Sequence, residues 1–452
     1  MESQKQKKSF GQWIKTSITI RMLMVGILIL VLLIPLSYIK NLIQERSFRQ
    51  KEVVSEINQK WGNEVLLYGP VLKIPYQTHA LKKTWDEKTK SYTEEDIISV
   101  HTAFFFPNTL NIDSNIDVDA KNLKRGIYKS AVYTATMKIK GTFTIPTFET
   151  QDIPKEDILW NKATVIINST NLKGIKSNLQ LQLGAEHYPL RSRYTQNSYT
   201  NTLETTFLKE ASLPKENTID FNLDLKINGS EHLRFIPVGS ETNVSMNSNW
   251  ASPSFYGNYL PDTKTKVISK DGFKANWKVL EINREFEQEF YGELPQINSS
   301  AFGVKLFIPV DEYQKSERAT KYGYLVIALT FLVFFLIQAV SKINIHPFQY
   351  LMIGLALTMF YTLLISISEH SSFLYAYGIA GSSVILLIAT YSKAILKSLK
   401  FMGLIGASLA ALYAFIFVII QLENYALLVG SIGLFLILGT IMMISRKIDW
   451  GE

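Results

Sequence analysis

Apolar residues fall into six stretches of membrane length, and five of the six crowd into the last third of the chain. Residues 22–39, 322–340, 348–368, 373–391, 401–421 and 425–444 are nearly free of charge. About 20 such residues are what a helix needs to cross a hydrocarbon core. Between the first and second stretches the pattern changes twice. Residues 41–61 keep helical spacing, with Val54, Ile57 and Trp61 on one face and Glu45 four residues before Arg49. Beyond them the period becomes two. Ala131, Tyr133, Ala135, Met137 and Ile139 alternate with polar or small neighbours, as do Leu179, Leu181 and Leu183, and Ile219, Phe221, Leu223, Leu225 and Ile227. Such alternation describes strands with one wet face, hence antiparallel sheet.

Turn chemistry supports strands. Asn228-Gly229, before residues 233–238, reads as a hairpin turn, and so does Asp271-Gly272 between Val267-Ile268 and residues 273–279. Residues 82–96 are charged and aperiodic and read as an exposed hairpin tip. The chain therefore predicts a membrane α-helical bundle (1 + 5 transmembrane helices) plus a large all-β, sandwich-like periplasmic domain. Its expected parts are a cytoplasmic N-terminus (1–21), a signal anchor (22–40), a helical stalk (41–61), an antiparallel β domain (62–321), a five-helix bundle (322–445) and a cytoplasmic tail (446–452). The β domain reads as one sandwich or as two lobes with a boundary near 154–161.

Charge sets the expected orientation, because Lys and Arg of short loops stay on the cytoplasmic side. Lys5, Lys7, Lys8, Lys15 and Arg21 put the N-terminus inside. Alternation then places Lys342, then Lys393, Lys397 and Lys400, then Arg446 and Lys447 on the same side, while the short outside loops hold Glu369 and Glu423. The inside segments carry a basic surplus equal to the whole chain's net charge of +8, so the remainder is balanced. The basic excess is a topology signal, and nucleic acid is excluded as a partner. Ser37-Tyr38-Ile39-Lys40 offers no small-x-small cleavage site, so the first span is expected to remain as an anchor.

Candidate chemistry changes little. With no cysteine there is neither disulfide nor thiolate metal site. G-x-S-x-G, G-x-x-x-x-G-K-[ST] and H-E-x-x-H are absent. His79, His101, His187, His232 and His370 are scattered without ligand spacing. No catalytic, metal or cofactor residue is assigned, a membrane-embedded hydrolase is set aside, and the chain reads as non-enzymatic. The remaining candidates are motifs. Glu369-His370 ends the third span, either as a solvated interface anchor or as a polar contact with Arg318 or Lys321. Tyr350, Tyr361, Tyr375, Tyr377, Tyr391 and Tyr413 read as an interfacial belt in preference to a conduit. Gly403, Ala407 and Ala411, with Gly406, Ala410 and Ala414, form two stripes that permit close helix approach. Trp250, Pro253, Phe255 and Gly257 read as a packed turn in preference to a ligand loop, Trp277 as a strand residue, and Arg284 as a structural partner for a carboxylate such as Asp262.

These residues also carry a resemblance. Trp61-Gly62, Gly69-Pro70, Pro75-Tyr76, Arg125-Gly126-Ile127-Tyr128 and Val132-Tyr133 resemble the CreD family of inner-membrane cell envelope integrity proteins. So do the run from Trp250 to Gly257, Leu260-Pro261-Asp262 and the run from Asp271 to Trp277. The likeness continues through Pro309-Val310-Asp311, the run from His346 to Tyr350, Ser368-Glu369-His370 and Asp449-Trp450. It spans essentially the full length, departing at Gln338, where an acidic residue is expected. The resemblance implies a bacterial inner-membrane protein tied to envelope integrity and stress, often under two-component control. It also implies altered tolerance to envelope-attacking agents when the protein's level changes, and it carries no defined reaction. The expected partners are the lipid bilayer and an unknown envelope protein or lipid ligand; the alternative function is lipid or precursor handling along an apolar groove joining the β domain to the bundle.

Overall fold

The first helix is continuous from hydrocarbon-soluble to amphipathic sequence, and that shapes both parts of the chain. The computed structural model describes residues 18–86, 90–119, 124–125, 128–148, 151–193, 199–209, 218–306, 312–341, 343–422 and 425–446. Outside the described residues lie Lys5, Lys7, Lys8, Lys15, Gly126, Ile127, Pro309-Val310-Asp311, Lys342, Glu423, Lys447 and Asp449-Trp450. Helix α1 runs from Ile18 to Trp61 with Pro35 inside it. By contacts, Met1–Lys51 and Val310–Glu452 form one unit and Glu52–Pro309 the other. The boundary thus falls inside α1, and the segment after residue 311 belongs with the membrane helices.

In the membrane unit, α2 (Glu312–Lys321) precedes α3 (Gly323–Ser341), α4 (Pro347–Ser368), α5 (Phe373–Leu396), α6 (Leu399–Gln421) and α7 (Ala426–Ser445). Six helices among the described residues, α1 and α3 to α7, are long and apolar enough to cross a membrane. Leu32 and Leu36 of α1 are buried among them. Gly354 on α4 creates the notch for Leu32: a Cβ there would sit 2.0 Å from the Leu32 Cδ1. The core of this unit also holds Phe331, Phe334, Leu357, Phe360 and Ile416. By contrast, α7 buries no residue.

The other unit begins with the last turns of α1. Val53 and Ile57 pack on Val132, with Trp61 beside them. The buried stripe therefore uses Val53 where the sequence suggested Val54, because positions 53, 57 and 61 recur every four residues. Trp61 Nε1 donates to the Tyr133 carbonyl at 3.2 Å and Asn58 Nδ2 to Glu231 Oε1 at 2.8 Å.

The strands follow in order. A long hairpin, β1 (Val65–Asp86) and β2 (Ser91–Phe105), precedes β3 (Thr109–Val118), the short β4 (Lys124–Arg125) and β5 (Tyr128–Lys129), and β6 (Val132–Thr144). Next come β7 (Thr164–Ser169), β8 (Gln180–Leu183), β9 (Glu186–Arg193), β10 (Asn201–Thr205) and β11 (Thr218–Ser230). Then β12 (His232–Phe235), β13 (Glu241–Ser248), β14 (Pro253–Gly257), β15 (Val267–Ser269), β16 (Gly272–Leu280), β17 (Glu289–Tyr291) and β18 (Phe302–Leu306) complete it. All except β4 and β5 join one sheet, whose main path runs β14-β18-β12-β1-β7-β10-β9-β8-β11-β6-β3-β13-β16-β15. The pairs β1/β12 and β3/β13 are parallel; the others are antiparallel. The sheet bends into a near-barrel whose alternating inward residues, including Ile112, Ile139, Leu223, Val165 and Phe302, share one apolar core. That core takes residues from both sides of 154–161, which form short 3₁₀ turns; no lobe boundary divides it.

Two turns expected from sequence fared differently. The β15/β16 hairpin turns at Lys270-Asp271, with Ser269 paired to Gly272. Asn228-Gly229, however, lies within β11, paired through to Ser230. The chain bends instead at Glu231, with φ at +58°, and β12 leaves to pair with β1 and β18. Gly229 is needed for packing. A Cβ there would meet the Tyr133 hydroxyl at 2.4 Å and its ring at 2.5 Å, and that hydroxyl donates to the His232 carbonyl at 2.6 Å. Gly229→Ala is expected to destabilise the full-length protein by roughly 1–3 kcal/mol through overpacking. An unchanged denaturation midpoint would show that the ring can yield.

Candidate functional site

The two ends of the long sheet meet side chain to side chain, and the motif residues gather there. Phe255 on β14 lies edge-on to Phe273 and Trp277 on β16, with ring centroids 5.5 and 5.6 Å apart. Trp277 also packs on Phe302 of β18 at 5.8 Å, and Tyr259 on the same ring at 5.7 Å. Trp277 Nε1 donates to the Tyr259 carbonyl at 3.2 Å. Between β14 and β16 no ladder hydrogen bonds run; aromatic contact closes the barrel. Pro253 and Gly257 bound β14, opposite Leu306 and Phe302. Trp250 is partly buried against the core and donates through Nε1 to the Ser252 carbonyl at 3.0 Å. The run from Trp250 to Gly257 is therefore a bend leading into an edge strand.

Arg284 corrects its expected pairing. It is 7% exposed, and its guanidinium donates to the Val238 carbonyl at 2.9 Å, to the Pro237 carbonyl at 3.3 Å and to Gln288 Oε1. It stacks 4.6 Å from the Phe286 ring centroid. Burial lowers its pKa. The Asp262 carboxylate instead accepts from Lys264 N at 3.0 Å. Arg284 reaches three carbonyl-type oxygens from its planar fork, which is how a buried cation without a carboxylate is accommodated.

In the membrane unit, Glu369 caps the end of α4. Its Oε1 accepts from the Tyr313 hydroxyl at 3.1 Å and lies 3.8 Å from Arg46 Nε. Neither expected partner is used: Arg318 donates to the Leu422 carbonyl at 2.9 Å, and Lys321 lies 3.7 Å from Glu317. Phe373 N, at the start of α5, donates to Glu312 Oε2 at 2.9 Å. Helix α2 is thus a polar cross-member joining the middle of α1, where Gln44 donates to Glu317 Oε1 at 3.5 Å, to the ends of α4 and α6 and the start of α5. His370 is exposed beside it.

The tyrosines also depart from a belt. Tyr350, Tyr361, Tyr377 and Tyr413 are buried in the helix core, while Tyr375 is exposed. Phe360 packs against Tyr361, Tyr377 and Tyr413, and the Tyr350 hydroxyl donates to Gln338 Oε1 at 2.8 Å. An amide at 338 is a neutral acceptor and suits that burial without an ion's desolvation cost. Gly406 meets Ala389, but Gly403, Ala407 and Ala411 face outward on α6.

A polar cluster on β12 escaped the sequence reading. Arg234 Nη2 lies 3.0 Å from Glu64 Oε1, which also accepts from the Tyr199 hydroxyl at 2.7 Å. His232 Nδ1 is hydrogen-bonded to the Tyr256 hydroxyl. Burial lowers the His232 pKa and pushes Tyr256 up to about 12. His232 and Arg234 share a face through their i,i+2 spacing, the one local signal; the remaining members come from distant segments. Glu204 is equally engaged: burial alone would raise its pKa, but Lys73 at 3.0 Å, Thr164 at 2.9 Å and Arg193 at 2.9 Å hold it below the usual range. Apart from the buried Arg234 Nε, which has no hydrogen-bond partner, these groups pair donor to acceptor, an arrangement that fixes structure. Among the described residues, no group of three or more metal-ligating side chains converges. The interior of the β unit is an apolar core, and surface hollows of about 850 and 480 Å³ are lined by strand residues such as Thr109, Asn111, Lys140, Asp262 and Lys278.

What the architecture defines is a multi-span membrane protein with a large β domain inserted between its first and second spans. A family model described as "Inner membrane protein CreD" matches residues 17–451, and the chain belongs to that family. It is 29% identical over 424 residues to a protein of Escherichia coli (strain K12) named "Inner membrane protein CreD", covering 93% of this chain and 91% of that protein.

Two measurements test this geometry. Trp277→Ala removes the ring on which the closing contacts converge and is expected to cost about 3–5 kcal/mol in unfolding of the full-length protein. A loss below about 1 kcal/mol would show that the seam closes without it. His79 is the titratable test. Its Nδ1 lies 2.7 Å from Asp96 Oδ2 and its Nε2 3.1 Å from Asp157 Oδ1, and the hydrogen bonds to Asp96 and then Asp157 raise its pKa. A raised pKa means the link is complete below about 6.5 and is lost as pH climbs through the higher folded value. An NMR titration should place the His79 midpoint above that of a free histidine, and Asp96→Asn should lower it. A midpoint at or below the free value contradicts the pairing.

Proposed function

We propose that this protein supports the cell envelope from the inner membrane without catalysing a reaction. Its β domain faces the periplasm, both chain ends face the cytoplasm, and the outer surface of the domain binds an envelope component. Full-length family membership and the resemblance to envelope integrity proteins support the setting. The distribution of Lys and Arg supports the orientation. The observation that carries the binding reading is the sorting of the strands: apolar positions alternate into one core, and the polar positions between them are exposed on the outer face.

The test uses the full-length protein in cells lacking their own copy. Photo-crosslinking residues placed singly at exposed strand positions such as Lys138, Asp220 and Lys278 are expected to trap one dominant envelope partner from one face. Substitutions on that face should then reproduce the envelope-stress sensitivity of the deletion. Full tolerance restored by a protein that crosslinks to nothing from any face would reject a binding role. Reporter fusions placing the C-terminus outside would reject the orientation separately.

A further inference from the structure

Beyond residue 77, β1 and β2 leave the rest of the sheet as a two-stranded arm. They stay paired with each other from Gln77↔Val100 to Asp86↔Ser91, whereas β7 reaches β1 only to Lys73 and β17 reaches β2 only at residues 103–105. Backbone links to the body of the domain lie at the root of the arm, where Leu159 N donates to the Pro75 carbonyl at 2.9 Å and Tyr76 bridges to Ile158. A lone two-stranded hairpin is marginal in water, so side-chain contacts beyond the root bear on where the arm sits.

His79 makes such a contact. Its Nδ1 lies 2.7 Å from Asp96 Oδ2 on β2, and its Nε2 lies 3.1 Å from Asp157 Oδ1 in the turn Lys155–Asp157. One carboxylate thus belongs to the arm and the other to the body, with the imidazole between them. A neutral imidazole has one donor nitrogen and one acceptor, and an ionised carboxylate only accepts. Both contacts are hydrogen bonds only when the ring is an imidazolium. The bonds to Asp96 and then Asp157 accordingly raise the His79 pKa.

Protonation therefore sets the sign of the contact. An imidazolium attracts both carboxylates. Around a neutral ring, Asp96 of the arm and Asp157 of the body are like charges competing for a single N–H. The Asp96 side chain is 46% exposed and has water to turn to, whereas that of Asp157 is 13% exposed and has little. Movement of the arm away from the turn separates the charges and hydrates Asp157. No other group replaces the imidazolium. On the same face of the arm Lys83 is engaged by Glu94 at 2.8 Å, and the other charged residues of the adjoining turns, Lys155, Glu156 and Lys162, are exposed and screened. We propose that His79 is a proton-operated latch, in which an imidazolium clamped between Asp96 and Asp157 holds the arm against the domain and loss of its proton frees the arm. A group whose pKa is raised by folding contributes fully below its unfolded value, about 6.5. The arm is thus docked in acid and released as pH rises through the folded midpoint. This stands independently of which envelope component the domain binds.

The absence of cysteine makes the test clean, since spin labels attach only to introduced thiols. The full-length protein in lipid nanodiscs carries one label on the arm, through Lys82→Cys, and one on β6, through Thr136→Cys; both positions are exposed. The distance distribution between them is recorded across a pH series from about 5.5 to about 9.5, either side of the ordinary imidazole value. A narrow population at the acid end should lengthen and broaden as pH rises, with the midpoint that NMR gives for the His79 ring. In Asp157→Asn and in His79→Gln, each shown to melt like the parent, the profile should be flat. His101→Gln, which alters the opposite face of the arm, should leave it unchanged. The proposal is overturned if the distribution is the same at both ends of the series, or if its midpoint departs from that of the His79 ring. A transition that survives in either flat-profile variant, or that vanishes in His101→Gln, overturns it as well.

Discussion

Helix α1 must be soluble in hydrocarbon along its first half and adhere to a protein surface along its last turns, and one unbroken backbone meets both demands. Its apolar section satisfies every backbone group internally, as a bilayer requires, and seats Leu32 in the notch that Gly354 leaves. Its final turns switch to a narrow stripe, Val53, Ile57 and Trp61, and place the Trp61 indole on the Tyr133 carbonyl. Tyr133 in turn fills the space above Gly229 and bonds to the His232 carbonyl. The helix end, β6, β11 and β12 are thereby fixed by one aromatic ring.

The β domain meets a different constraint. A sheet of this length has two free ends, and unpaired strand edges invite association. Here the ends close through Phe255, Phe273, Trp277 and Phe302 without a hydrogen-bonded ladder. Aromatic rings tolerate a closure in which strand directions do not match, because edge-to-face contacts require no shared register. Arg284 braces the neighbouring loops by gathering the Pro237 and Val238 carbonyls and Gln288. Both devices are structural.

The spans, the change from helical to alternating period, and the strands around residues 131–139, 179–183 and 219–227 were legible because each depends on local spacing. The β15/β16 hairpin was legible for the same reason, although its turn falls at Lys270-Asp271, one residue before the expected Asp271-Gly272. Asn228-Gly229 misled, since a glycine needed for packing looks like one needed for turning. Arg284 and Glu369 were recognised as polar residues needing partners, but the partners were wrong: Val238 and Pro237 offer backbone carbonyls, which every residue has, and Arg46 precedes Glu369 by hundreds of residues. The buried tyrosines deceived because a hydroxyl near a span end suits an interface as well as a core. The cluster of Glu64, Tyr199, His232, Arg234 and Tyr256 could not be assembled from spacing, since only β12 brings two of its members together locally.

Helix α7 offers a last consequence. None of its residues is buried, and Gly433 lets it rest lightly on Phe415 of α6. Packing therefore supplies little of what keeps it in place; the solvent supplies the rest. Its address is thermodynamic before it is structural, so the order of this segment follows the thickness and fluidity of the lipid around it. The remainder of the bundle answers to its own interlocking surfaces.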